Sequence, residues 1–215
     1  MPSPFVLLEI KNSRDSEESP AVMEQVFAAL GSGGGHAGLL ARIFGNRHEP
    51  RFFSFEIVSV NNSIHFFIGL PQVAQTYLES QLTAQYPKVI LAPSADYAPH
   101  FISLPHATAQ LALTSAFYYP LKTHKDVRDL DLLASVLGQL AKLPAGQAAA
   151  VQLWISPAGS VWQRTAGRVI AAGIPDPTSQ TGRTKTHPHA RLIETKIGQV
   201  GFLTAVRVLA VAPKQ

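Results

Sequence analysis

Residues 52–87, FFSFEIVSVNNSIHFFIGLPQVAQTYLESQLTAQYP, decide the reading of the fold. Phe53, Phe55 and Ile57 alternate with Phe52, Ser54 and Glu56, the two-residue period of a half-buried strand. Ile64, Phe66 and Ile68 repeat the pattern after Asn61-Asn62, a pair that tolerates the positive φ of a hairpin turn. Pro71 suits the first turn of a helix, where its missing N–H is no loss. Val73, Tyr77, Leu78 and Leu82 then fall on one helical face. The stretch predicts strand, turn, strand and helix. It reads as scaffold and carries no obvious reactive group.

Working outward, Phe5 to Lys11 predicts a strand before it, followed by a polar connection through Glu18. Ser19 and Pro20 make a helix start, and Val22, Met23, Val26, Phe27 and Leu30 form its apolar stripe up to Gly31. A flexible glycine run, GSGGGHAG, and a short apolar run, LLARIF, separate that helix from the hairpin. Residues 88–92, KVILA, predict a last short strand. The order strand, helix, strand, strand, helix, strand is that of a ferredoxin-like unit, an antiparallel sheet with two helices on one face.

A proline- and histidine-rich stretch follows, and beyond it the pattern partly repeats. Residues 109–123 read as extended, with Pro120 at an edge or outside the ladder. A helix from Asp129 carries Leu130, Leu133, Val136, Leu137 and Leu140, with Asp129 and Asp131 in its first turn and Lys142 in its last, each favourable to the helix dipole. Residues 148–155 predict a strand, and Val161, Trp162, Ala166, Val169 and Ile170 mark a helix. Residues 174–189 read as a polar loop, residues 190–197 as a short helix closed by Gly198, and residues 202–211 as a strand. The expected fold is therefore α+β: two ferredoxin-like units with antiparallel sheets backed by helices, the second incomplete. The expected divisions are residues 1–95 for the first unit, 96–107 for a linker and 108–215 for the second unit.

Composition limits the chemistry. The 215 residues are 46% apolar and 15% charged, which favours burial over disorder. The formal charge of +4 is mildly basic, and no Lys/Arg run concentrates it. With no cysteine, disulfides, thiolate metal sites and cysteine nucleophiles are excluded, and a reducing cytoplasm suits the chain. No stretch reaches the roughly 18 consecutive apolar residues of a spanning helix, and the N-terminus lacks the marks of a signal peptide.

The candidate motifs are weak. The glycine run at 31–38 lacks the Lys and Ser/Thr of a nucleotide loop, since Leu39 and Leu40 follow it, and it trails a helix where that loop must trail a strand. A flexible connector is the better reading. His187-Pro188-His189 has no matching ligand pair close in sequence and reads as loop. No Gly-x-Ser-x-Gly elbow accompanies the scattered histidines. Trp154 and Trp162 read as core in preference to binding anchors. Arg164 and Arg168 form a basic stripe on an exposed helix face. Neither a catalytic residue, a metal ligand nor a cofactor is expected.

The segments LLEIKNSRDSEESPAVMEQVFAAL, SFEIVSVNNSIHFFIGLP and LESQLTAQYP are similar to a bacterial domain of unassigned function. That domain stands at the N-terminus of ATPases related to conjugative coupling proteins and type IV secretion motors, widespread in candidate-phylum bacteria. The later segments YYPLKTHKDVRDLDLLASVLGQLAKLPAGQAAAVQLWISPA and KIGQVGFLTAVRVLAVA resemble it too, so the likeness spans nearly the whole chain. In that family the nucleotide loop lies further along, in a domain outside this sequence. The resemblance therefore implies a non-enzymatic interaction or assembly module of a DNA- or protein-translocating ATPase. Its partners would be the downstream motor domain or neighbouring subunits. It would be cytoplasmic, at the inner face of the membrane through the rest of the protein, without inserting itself. The alternative is a nucleic-acid-binding module, with DNA as partner, in which Phe53, Phe55, Phe66 and Phe67 stack bases on an open sheet face and Arg164 and Arg168 contribute charge.

Overall fold

The computed structural model describes residues 5–12, 18–32, 52–126, 131, 133–179 and 183–213. Strands β1 (Phe5–Lys11), β2 (Phe53–Val60), β3 (Ser63–Pro71) and β4 (Ile90–Ser94) come from the first half. Strands β5 (His106–Leu111), β6 (Ala148–Pro157) and β9 (Phe202–Val211) come from the second, with β7 (Ile174–Pro175) and β8 (Thr184–Lys185) forming a separate two-stranded ribbon. The helices are α1 (Pro20–Ser32), α2 (Gln75–Gln85), α3 (Ala98–Ser103), α4 (Ala134–Leu140), α5 (Val161–Ala172) and α6 (Ala190–Ile197). None among the described residues is long and apolar enough to cross a membrane.

The hairpin forms as its residues dictate. Asn61 and Asn62 take φ values of 52° and 61°, and Val60 pairs with Ser63 across the turn. Pro71 ends β3 and leads into a 3₁₀ turn over Gln72–Ala74 before α2 begins. That turn rotates Val73 outward and buries Ala74, so the stripe expected on α2 is carried by Leu78 and Leu82, with Tyr77 half-buried. Before α1, the Ala21 N–H donates to Ser19 Oγ at 3.3 Å.

The expectation of two separate ferredoxin-like sheets is replaced by one. The strand order is β4-β1-β3-β2-β6-β9-β5, and every neighbouring pair is antiparallel. The seam is the β2–β6 ladder, running from Phe53 opposite Ile155 to Ser59 opposite Ala149. Residues 96–107, expected as a linker, hold α3 and the start of β5, and Phe101 of α3 is buried against the sheet. Residues 109–123 give only the end of β5 followed by irregular chain, and Pro120 lies outside the ladder as expected. The described part of the 129–140 helix begins at Ala134, while Asp129 and Leu130 lie outside the described residues.

The order has an internal symmetry. Strands β1, β3 and β2 repeat in mirrored list order as β6, β9 and β5, with β1 answering to β5, β2 to β6 and β3 to β9. In each half a strand–helix–strand crossover, through α1 or α4, leaves one antiparallel strand between its two parallel members. Both crossover helices lie on the same side. Val26 and Leu30 of α1 pack with Phe53, Ile68, Leu70, Leu78 and Ile155, and the Leu140 carbonyl of α4 accepts from Ser59 Oγ at 2.8 Å.

The opposite face carries α3, where Phe101 packs with Val58, Phe67, Ala148, Ala150 and Val211. Thus β2 is covered on both sides, and even Ser54, Glu56 and Ser59 are buried. The symmetry breaks at the two ends of the sheet. β1 is flanked by β4, whereas among the described residues its counterpart β5 is the last strand, and all residues of β5 are exposed.

Candidate functional site

Antiparallel register carries one row of side chains across the α3 face. Arg207 of β9 stands opposite Gln152 of β6, Gln152 opposite Glu56 of β2, Glu56 opposite Phe67 of β3, and Phe67 opposite Glu9 of β1. Residues paired directly across antiparallel strands share a face, so this row is fixed by the ladder itself. α3 and its preceding residue Tyr97 roof the middle of the row. The result is a cleft of about 420 Å³ whose lining includes Phe5, Glu56, Asp96, Tyr97, Gln152 and Trp154.

Glu56 is only 5% exposed. Its Oε2 accepts the Tyr97 phenol and the Gln152 amide, the latter at 3.2 Å. The same amide nitrogen donates to the Tyr97 oxygen at 2.7 Å, and the Trp154 indole N–H reaches Gln152 Oε1 at 3.3 Å. Donors therefore run in one direction, from Trp154 through Gln152 and Tyr97 onto one oxygen of one carboxylate. Burial, followed by the bond to Glu56, pushes the Tyr97 phenol far above its ordinary pKa. At neutral pH that phenol keeps its proton and is a fixed hydrogen-bond donor.

Aromatic rings complete the wall. Phe5 stacks parallel to Trp154 at 6.1 Å, and Phe52 lies 5.0 Å from Phe5 and 4.7 Å from Trp154. Tyr97 stacks on Phe67 at 5.6 Å. The Arg207 guanidinium sits 5.2 Å from the Trp154 ring centre, a cation–π distance. At the other end of the row, Glu9 Oε1 meets His65 Nδ1 at 2.7 Å and Glu9 Oε2 meets Lys11 Nζ at 3.1 Å. The bond to His65, then that to Lys11, hold the Glu9 carboxyl below its usual range.

The residues expected to stack bases are dispersed. Phe53 is fully buried on the α1 side, and Phe55 packs edge-on against Phe27 of α1 at 5.3 Å. Phe66 shares their face and is 41% exposed, whereas Phe67 is buried on the opposite face under Tyr97. Arg164 and Arg168 are exposed on α5, and Arg164 Nη1 donates to Ser160 Oγ at 3.1 Å. The four phenylalanines form no common platform.

Trp162 packs against Gly201, while Trp154 lines the cleft. His187 is buried and its Nδ1 accepts the His189 N–H at 3.1 Å, with both rings packed against Tyr119. Among the described residues no group of three or more His, Cys, Asp or Glu could hold a metal ion. Most of the glycine run at 31–38 lies outside the described residues.

Sequence reasoning missed Glu56, Tyr97 and Gln152. The signal available was a carboxylate in the middle of an apolar strand, and Gln152-x-Trp154 on one face of another. Bringing them together required the β2–β6 register.

No curated protein and no solved structure matches the chain. One family model does, over residues 6–215, and its description is a domain of unknown function, DUF8128. With nearly the whole chain matched, this protein belongs to the DUF8128 family.

Proposed function

We propose that this chain is a non-catalytic docking module in which β5 pairs with an extended segment of a partner. The observation that carries the reading is the edge of β5, which is open among the described residues. It ends the sheet order, and every one of its residues is exposed. An unpaired edge presents a row of N–H and C=O groups that an incoming strand can satisfy.

The adjoining surface supports it. Ala107, Ala109 and Leu111 of β5 stand opposite Ala210, Val208 and Val206 of β9, on the side that α1 and α2 cover in the first half. Here Leu111 is 64% and Val208 37% exposed. An apolar strip beside an open edge gives a partner both backbone pairing and side-chain burial.

The sequence resemblance supplies the setting: a cytoplasmic module beside a DNA- or protein-translocating ATPase of the type IV secretion or conjugation kind. The strand order β4-β1-β3-β2 supports reading β1 to β4 with α1 and α2 as a ferredoxin-like unit, to which the second half is added through β6. The motor or a neighbouring subunit would provide the strand. No observation favours the nucleic-acid alternative, because its proposed stacking residues are split between two faces and mostly buried.

The test is site-specific photo-crosslinking in cells from Thr108 and Gln110, with Arg168 on α5 as the control position. Capture of one defined partner from β5 and not from Arg168, with capture from Gln110 lost when Thr108→Pro removes an outward N–H, is expected. Equal capture from both surfaces, or ATP turnover by the purified chain, would overturn the reading.

A further inference from the structure

We infer that the cleft under α3 is a binding site for an alkylammonium group, held by Glu56 Oε1. This goes beyond docking at β5 and does not depend on it.

The carboxylate of Glu56 is more than nine-tenths buried, yet both of its protein hydrogen bonds fall on Oε2. Its second oxygen has no protein donor among the described residues, and the residue lines the cleft. The donors that do reach it, a phenol and a carboxamide, are neutral. A buried carboxylate ordinarily has a cationic partner or a full set of donors, because removing its charge from water is costly. The nearest cation of the row, Arg207, is engaged over the Trp154 ring instead.

The remaining lining selects the ligand. Among the described residues that line it, the cleft has two carboxylates, Glu56 inside and the exposed Asp96 nearby, and no Lys, Arg or His. Asp96 Oδ1 already accepts the Ala98 N–H at 2.8 Å, which fixes the carboxylate in place. Anions are disfavoured by both charges. The rings of Phe5 and Trp154, stacked parallel, give an apolar wall for a methylene stem. A primary ammonium on a short alkyl chain satisfies all three features: a donor for Oε1, a charge for the two carboxylates and carbon for the rings. The same chemistry occurs in a free amine and in a lysine side chain of a protein.

The test is a titration of the ¹⁵N-labelled protein with n-butylammonium chloride, followed at the Trp154 indole N–H, with 1-butanol as the neutral isostere. Saturable shifts with butylammonium and at least about tenfold weaker binding of butanol are expected, the scale of one charge-assisted hydrogen bond. Glu56→Gln, which keeps the shape and an acceptor for Tyr97, should weaken butylammonium by about tenfold or more. Should that variant fail to fold, Asp96→Asn at its exposed position should still weaken binding severalfold at low salt and little at high salt. Nα-acetyl-lysine methylamide binding more tightly than butylammonium assigns the site to a protein lysine. Weaker binding assigns it to a free amine, and either supports an ammonium site. Equal binding of butanol and butylammonium, or affinity unchanged in both variants, would overturn it.

Discussion

Gly69 in the middle of β3 gives the sharpest stability test, because two opposing effects can be weighed against each other. It pairs with Leu7 on one side and Ser54 on the other. A Cβ at this position would lie 2.4 Å from Ser54 Oγ and 2.6 and 2.9 Å from two carbons of the Phe5 ring. Comfortable carbon contacts are about 3.5–4.0 Å, so the ring must retreat by about 1 Å. Phe5 is 42% exposed, so its ring can retreat only by giving up packing against Phe52 and Trp154, whereas Ser54 is fully buried and has no room to move.

Overpacking of this kind costs about 1–3 kcal/mol. Against it, Gly→Ala at an unstrained position gains about 0.4–1 kcal/mol by restricting the unfolded chain. Gly69→Ala should therefore be destabilising by about 1–2 kcal/mol, the packing term winning. With a urea slope of about 3 kcal/mol/M for a chain of this size, the midpoint falls by about 0.3–0.7 M. Trp154 emission in the native baseline should change as well, since the ring that moves is its stacking neighbour. Among the described residues Ser54 Oγ is buried without a hydrogen-bond partner, so Ser54→Ala should cost little alone and should reduce the cost of Gly69→Ala in a double-mutant cycle. A Gly69→Ala protein as stable as the parent, with unchanged tryptophan emission, would refute the close approach of β1, β2 and β3 around this residue.

Three further outcomes follow from particular contacts. Asn62→Ala should destabilise by about 1 kcal/mol, because alanine pays for the left-handed backbone that Asn62 adopts at φ 61°, and Asn62→Gly should not; thermal unfolding of both variants measures it. Ser59→Ala should cost about 1 kcal/mol in urea unfolding through loss of the bond that ties β2 to the Leu140 carbonyl. Glu9 is held below its usual pKa chiefly by His65, so its stabilising contribution is complete above the ordinary carboxylate pKa and is lost as pH falls through the lowered folded value. His65→Ala should raise the Glu9 midpoint in an NMR titration, and an unmoved midpoint would contradict the pairing.

What was legible in the sequence was local. The bounds of β1, α6 and β9 follow from alternation and from a glycine stop, and the Asn-Asn turn fixes the hairpin by its backbone preference alone. What was not legible was which strand pairs with which across long separations. β2 reads as half-buried because Ser54, Glu56 and Ser59 interleave its apolar residues, yet α3 and the β6 seam bury both of its faces. A polar residue on a covered face looks the same in sequence as one on a wet face. α3 escaped notice because Ala98–Ser103 is short and begins with proline near its start, so that Phe101 is its one buried side chain. The cleft was illegible for the same reason as the seam: Glu56, Tyr97 and Gln152 are 41 to 96 residues apart and meet only through sheet register.

The most direct measurement is amide hydrogen exchange along β2, β6 and β5. If β2 and β6 are joined inside one sheet, consecutive amides of both strands are slow to exchange, whereas β5 alternates between amides held by β9 and amides open to solvent. Continuous protection of β2 with alternating protection of β5 is the expected result. Alternating protection in β2, the mark of a sheet edge, together with continuous protection of β5, would contradict both the shared sheet and the open docking strand.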